Sequence, residues 1–228
     1  LRPSDAGPGL VAVVDADEFA VSGAVVSVER DRVKLLTSTC FPRFAVKAWK
    51  DRLLDSISDR CVRLCRRDPR DSADAEQALF EQLDDSLDRV RAGQRVNLTL
   101  RTAHWFQDVI QQPEDFDAHC AQLARGTAEC VRDFLAEAGL PIHPRAVWLT
   151  HEAARLPGLV RHLHQNTPEG TAIEALPPNA VAQAAAALAP RWLAAELPRA
   201  HLDASLELLA VSHQPSAENP RSTVAERR

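Results

Sequence analysis

Two side-chain pairs in this chain have the residue types that bind metals, and their spacing settles what each can do. Cys61 and Cys65 stand one helical turn apart and could share a metal, but no histidine or second cysteine pair follows at ligand spacing. They read as two thiols on the inner face of a helix. His162 and His164 are two apart in Arg-His-Leu-His-Gln, and a helix would point them about 200° from each other. No metal is expected at either place. The five cysteines Cys40, Cys61, Cys65, Cys120 and Cys130 are odd in number and lack a C-x-x-C pair, so a disulfide framework is not expected. The acids Asp15, Asp17 and Glu18 follow an apolar run, and His151, Glu152 and Arg155 follow another, each where a strand gives way to a loop.

The elements that must carry these residues can be read from apolar spacing. Leu10 to Val14 is a continuous apolar run of the kind covered on both faces, and it ends at Asp15. Val21 to Glu29 and Arg32 to Thr39 flank the polar joint Arg30-Asp31, which makes an antiparallel meander of three strands. From Val46 to Cys65 the apolar positions recur at three and four until Asp68-Pro69 stops the helix. A second helix spans Ser72 to Arg91 and ends at Gly93; alternation at Val96, Leu98 and Leu100 and over His104 to Ile110 gives a hairpin. Pro113, Glu114 and Asp115 open a long helix that reaches Gly139. Ala146 to Leu149 reads as a strand, Ala153 to Gln165 as a helix interrupted by Pro157, Thr171 to Ala175 as a strand, and 179–189 as an Ala-rich helix. Strand, helix, strand, helix predicts a parallel unit.

Composition excludes several classes of function. The chain has 228 residues, 45% apolar and 26% charged, enough for one large or two small cores. Its net charge of −5 gives no general attraction to nucleic acid or anionic membrane, and Arg66-Arg67 is too short a basic run to change that. No run approaches the ~18 apolar residues a spanning helix needs, and the start is not an export signal. The expectation is a soluble, cytoplasmic protein without nucleic-acid or membrane partners. Methionine is absent, at position 1 as elsewhere, so the chain is expected to be a piece of a longer product.

Five phrases in one order resemble the second lobe of the nucleotide-binding domain of the heat shock protein 70 family, within the actin-like ATPase superfamily. Asp15-Ala16-Asp17-Glu18-Phe19-Ala20-Val21-Ser22 stands where the family has D-x-G-G-G-T-x-D. Trp49-Lys50-Asp51-Arg52-Leu53 is similar to F-D-x-R-L, and Ala138-Gly139-Leu140 to the A-G-L that ends the long helix. His151 to Pro157 resembles the adenosine loop G-G-S-T-R-x-P, and Pro177 to Ala187 resembles N-P-D-E-A-V-A-x-G-A-A. The resemblance runs from Leu10 to Ala189.

It implies an α/β fold: an actin-like ATPase (ribonuclease H-like) lobe with a mixed five-stranded sheet plus a helical and hairpin insertion. The expected organisation is a disordered lead-in over 1–9, a lobe core over 10–45 and 112–190, an insertion over 46–111, and a linker or tail over 191–228.

The nucleotide positions implied by the resemblance are Asp15, Asp17, Glu18, Phe19, His151, Glu152 and Arg155. Most depart from the family. Phosphate loops use glycine because bare backbone N–H groups can then approach an anion. Here Asp17, Glu18 and Phe19 replace those glycines, and each carboxylate about 5 Å from a phosphate charge costs on the order of 3 kcal/mol at an effective dielectric near 20. A divalent ion bridging Asp17 or Glu18 to phosphate would reverse that sign. His151 and Glu152 replace the glycines that take adenosine, Ala154 loses a hydroxyl, and Arg155 is either an adenine-stacking residue or a surface cap. Phe44-Ala45-Val46 replaces a further glycine pair. Glu81 and Asp84 fall where the family carries an acid and a lysine, or form a solvated acidic face. Asp15 would lie near the metal's water shell, or cap the next turn.

The expected function is therefore a non-catalytic interaction module of a heat-shock-70-like chaperone, with no catalytic residues and no cofactor. Its partners would be the missing first lobe, another protein or a co-chaperone. The alternative is an ATPase that binds ATP and magnesium through unconventional loops once completed by that lobe.

Overall fold

The computed structural model describes residues 9–29, 33–102, 104–140 and 142–196. It is an α/β protein with a five-stranded mixed sheet of strand order β3-β2-β1-β6-β7. The strands are β1 (Gly9–Ala16), β2 (Val21–Val28), β3 (Val33–Phe41), β6 (Ala146–Leu149) and β7 (Ala172–Ala175). β1–β2 and β2–β3 pair antiparallel, whereas β1–β6 and β6–β7 pair parallel. The meander and the parallel unit thus share one sheet.

Between β3 and β6 the chain forms α1 (Val46–Cys65), α2 (Ala73–Arg91), the hairpin of β4 (Val96–Arg101) and β5 (Phe106–Gln111), and α3 (Pro113–Glu137). The hairpin is a separate two-stranded sheet. Its inward residues Val96, Leu98, Leu100 and Val109 are buried, as the alternation requires. Gln82 on α2 completes the edge of β4: its Oε1 accepts from Thr99 N at 3.0 Å and its Nε2 donates to Thr99 O at 3.0 Å. Asp68 caps the short helical turn Pro69–Asp71 through the Arg70 N–H, and Ser72 caps α2.

One core joins these layers. Trp49, Leu53 and Ile57 of α1, Leu79, Leu83 and Leu87 of α2, and Phe116 of α3 are all buried, each worth about 1.5–3 kcal/mol in apolar surface removed from water. α3 packs against α1 and the helix Leu159–Asn166, and its Gly126 lets the ring of Phe44 approach, since a Cβ there would lie 3.0 Å from that ring. Gln112 and Asp115 form a reciprocal cap at the start of α3, with Pro113 in its first turn.

Several expected boundaries shift. The interrupted helix 153–165 is two helices, α4 (His151–Ala154) and α5 (Leu159–Asn166), because Gly158 takes φ 77° after Pro157 and re-aims the chain. α4 begins at His151 because the Thr150 hydroxyl accepts from the Ala153 N–H. The second hairpin strand begins at Phe106, after a turn in which Thr102 Oγ1 accepts from His104 N and Trp105 N. The last helix, α6 (Ala180–Leu193), continues past Ala189 with Pro190 inside it. It belongs to a second compact unit beginning at Val181. Gly9, the last residue of the expected lead-in over 1–9, already pairs in β1, and the rest of that lead-in, like the part of the expected tail over 191–228 beyond 196, lies outside the described residues. Among the described residues no helix is long and apolar enough to cross a membrane.

Candidate functional site

β1 and β6 are parallel neighbours, so the segments leaving their C-terminal ends emerge side by side. These segments carry Asp15 to Phe19 and His151 to Arg155, which brings the two sets of candidate residues to one end of the sheet. Thr150 Oγ1 ties them by donating to Asp15 Oδ1 at 2.6 Å, and the same oxygen accepts from Ala16 N at 2.9 Å. Asp15 is thus a strand-end acid that holds the neighbouring loop.

Asp17 closes the tight turn between β1 and β2. Its N–H donates to Ala20 O at 2.9 Å, and its Oδ1 accepts from Phe19 N at 2.7 Å and Ala20 N at 2.8 Å. Two backbone donors of this turn, those of Phe19 and Ala20, are therefore already taken by its own carboxylate. Phe19 projects from the turn with 83% of its surface exposed.

Glu18 begins a chain of charges that crosses to α1 and α2. Its Oε1 meets Lys50 Nζ of α1 at 2.6 Å, and Lys50 also donates to Asp84 Oδ2 of α2 at 3.2 Å. The Lys50 ammonium lies 5.0 Å from the centre of the Phe80 ring. Burial opposes its charge, but the hydrogen bonds to Glu18 and Asp84 outweigh burial and raise its pKa above the ordinary value.

Asp84 Oδ1 then accepts from Arg155 Nη2 at 2.7 Å, and the same nitrogen reaches Glu152 Oε2 at 2.5 Å. Arg155 is 8% exposed, which overturns its reading as a surface cap: the guanidinium turns inward because Asp84 and Glu152 neutralise it there. Its Nε is buried and has no hydrogen-bond partner among the described residues. Asp84 in turn is a junction rather than part of a wholly solvated face, while Glu81 is exposed and accepts from Gln77.

His151 belongs to the same cluster. Arg91 Nη1 donates to its Nδ1 at 2.7 Å, which leaves the proton on Nε2 to be donated to Asp88 Oδ1 at 3.0 Å. Asp84, Asp88 and Arg91 follow helical spacing along one face of α2. Lys50, Asp88 and Arg91 are residues that motif reading passed over. Lys50 had a visible signal, as one of three lysines in the chain and a charge beside the apolar stripe of α1.

A cleft of about 710 Å³ opens beside this cluster, lined by Arg91, Asp117, Arg155, Pro157, Gly158 and Arg161 among others. Arg161 Nη1 lies 3.5 Å from Asp117 Oδ2. Among the described residues no three His, Cys, Asp or Glu side chains gather as metal ligands. Of the paired thiols, Cys61 is buried and Cys65 half-buried, with Cys65 Sγ donating to Cys61 O. No protein-family model matches the chain, and no curated protein matches it.

Proposed function

We propose that this chain is the second lobe of a heat-shock-70-like, actin-type nucleotide-binding domain that serves as a non-catalytic interaction module. The strand order β3-β2-β1-β6-β7 supports this reading, because the meander and the parallel unit form one sheet with α1, α2 and the hairpin inserted outside it. So does the meeting of the β1–β2 turn with the loop after β6, as the resemblance implies for a phosphate loop and an adenosine loop. A cytoplasmic setting accords with five free thiols.

One observation carries the loss of nucleotide chemistry: the cations of this cluster are already engaged. Lys50 is held by Glu18 and Asp84, Arg155 by Asp84 and Glu152, and Arg91 by His151. A triphosphate would have to displace those partners, each worth about 1.5–3 kcal/mol as a charged hydrogen bond, and would then face the released carboxylates. The turn that should offer bare N–H groups spends two of them on Asp17. What survives is a frame with a charged seam, suited to holding one shape against a protein partner such as a first lobe or a co-chaperone.

Thermal melting with and without millimolar magnesium-ATP tests this. A ligand at a hundred times its dissociation constant stabilises by about 2.7 kcal/mol, or roughly 5–10 °C for a domain of this size. An unchanged melting temperature is expected. A rise of that order would overturn the proposal in favour of an ATP-binding lobe with unconventional loops, for which the 710 Å³ cleft beside Arg155 would provide the room.

A further inference from the structure

Arg91 and His151 make a hydrogen bond whose direction is forced. A guanidinium can only donate, so at 2.7 Å the Nδ1 of His151 has to be the bare acceptor nitrogen, and the ring proton sits on Nε2, facing Asp88 Oδ1 at 3.0 Å. The contact exists only with neutral imidazole. Imidazoles take up a second proton at about pH 6.5 in water, and here that proton would land on the nitrogen that Arg91 already faces.

The surrounding charges decide which partner leaves. On α2, Asp88 holds Nε2 and attracts a charged ring, whereas Arg91 is repelled by one. Asp84, one turn earlier, is taken up by Lys50 and Arg155. On the segment of His151 itself, Glu152 lies 2.5 Å from Arg155, and Arg155 Nη1 stands 4.0 Å from Asp88 Oδ1. Of the elements packed on α4, β6 carries no charged residue, and β1 carries only Asp15, whose Oδ1 is bonded to Thr150. The third, α5, carries Arg161, His162 and His164, with Arg161 lying on Asp117. Arg91 has no ion-pair partner among the described residues, so His151 is what holds it.

The positions of the two residues give the contact its role. Arg91 is the last residue of α2, and His151 is the first of α4, set there by the Thr150 cap. Their bond clasps the end of α2 to the loop after β6. Arg91 also lines the cleft of about 710 Å³.

We infer that this contact is a pH-sensitive clasp, in which protonation of His151 keeps the ring on Asp88 and expels Arg91 toward the cleft. Acid thereby places an uncommitted cation in the cleft wall. The inference does not rest on the chaperone-like reading, since it involves no nucleotide.

Melting temperatures of the parent and Arg91→Met at about pH 8 and about pH 5, either side of the imidazole range, test it. Arg91→Met should cost about 2 °C at the higher pH, where it removes the hydrogen bond, and nothing at the lower. His151→Asn keeps an acceptor near the place of Nδ1 but cannot become charged, so in that background Arg91→Met should cost the same at both. The comparison cancels other titrating groups, His162 and His164 included. Nitrogen-15 spectra of the imidazole read the clasp directly: a bare Nδ1 and a protonated Nε2 at the higher pH, and both nitrogens protonated at the lower. An equal cost of Arg91→Met at the two pH values in the parent, no cost at either, a pH-dependent cost in the His151→Asn background, or a proton on Nδ1 at the higher pH would each overturn the inference.

Discussion

The carboxylate of Asp84 meets the guanidinium of Arg155 at 2.7 Å, joining α2 to the segment after α4 across 71 residues of chain. Its other oxygen takes Lys50 at 3.2 Å. One half-exposed acid therefore holds two cations whose side chains are only 4% and 9% exposed. Asp84→Ala should cost about 2–4 kcal/mol, because buried charges that lose a partner are worth more broken than the pair was worth intact. Urea denaturation should show the midpoint falling with its slope unchanged. A change below about 0.5 kcal/mol would mean that Glu18 and Glu152 suffice alone.

Lys50 makes the same cluster sensitive to alkali. Burial lowers its pKa, but Glu18 and Asp84 more than reverse that, so the folded value lies above the ordinary 10.5. A raised folded pKa means its contribution is complete below pH 10.5 and is lost as pH climbs through the folded value. The denaturation midpoint should hold steady to about pH 10 and then decline more steeply than in Lys50→Met, which keeps the stem packed on Phe80 without the charge. Equal alkaline slopes in the two proteins would refute this assignment.

Asp68 sets the acid limit of the junction between α1 and α2. Arg70 is the chief cause that holds its carboxyl well below the ordinary 3.8, helped by the Ser58 hydroxyl and the Arg70 N–H. A depressed carboxylate contributes in full above its unfolded pKa and loses that contribution as pH falls through the folded one. Stability should therefore drop below about pH 4, and Asp68→Asn should flatten that limb while costing about 1 kcal/mol at neutral pH as a weakened cap. The check is the melting temperature of both proteins from pH 2 to 7.

The five thiols should separate cleanly under alkylation. Burial pushes Cys61 up to about 11 and Cys120 up to about 12, and it raises Cys130 as well. Cys40 is exposed on β3. Iodoacetamide at pH 8 should modify Cys40 first and reach Cys61 and Cys120 only in denaturant, as read by peptide mass spectrometry. Early labelling of Cys120 would contradict the packing of α3.

Most of the element inventory was legible before any coordinates. The apolar runs at Leu10–Val14 and Ala146–Leu149 became neighbouring strands, and the stripes of α1, α2 and α3 appeared within a residue or so of their expected ends. Such signals are local: burial of one face imposes a period of two or 3.6 on residues close in sequence. Boundaries slipped where capping and turn geometry decided them, as at Thr150, Thr102 and Gly158.

The charge cluster is another matter. Glu18, His151 and Arg155 were singled out for what a ligand would demand of them, yet their partners are Lys50, Glu152 and one face of α2. Glu18 finds Lys50 across 32 residues and Arg155 finds Asp84 across 71. Side-chain chemistry states that a carboxylate will accept and a guanidinium donate, but spacing along the chain carries no information on which pair the packing will bring within 3 Å. That choice was made by the parallel pairing of β1 with β6 and by the docking of α1 and α2 beside them, because charge pairing acts through space and only the folded chain defines the distances.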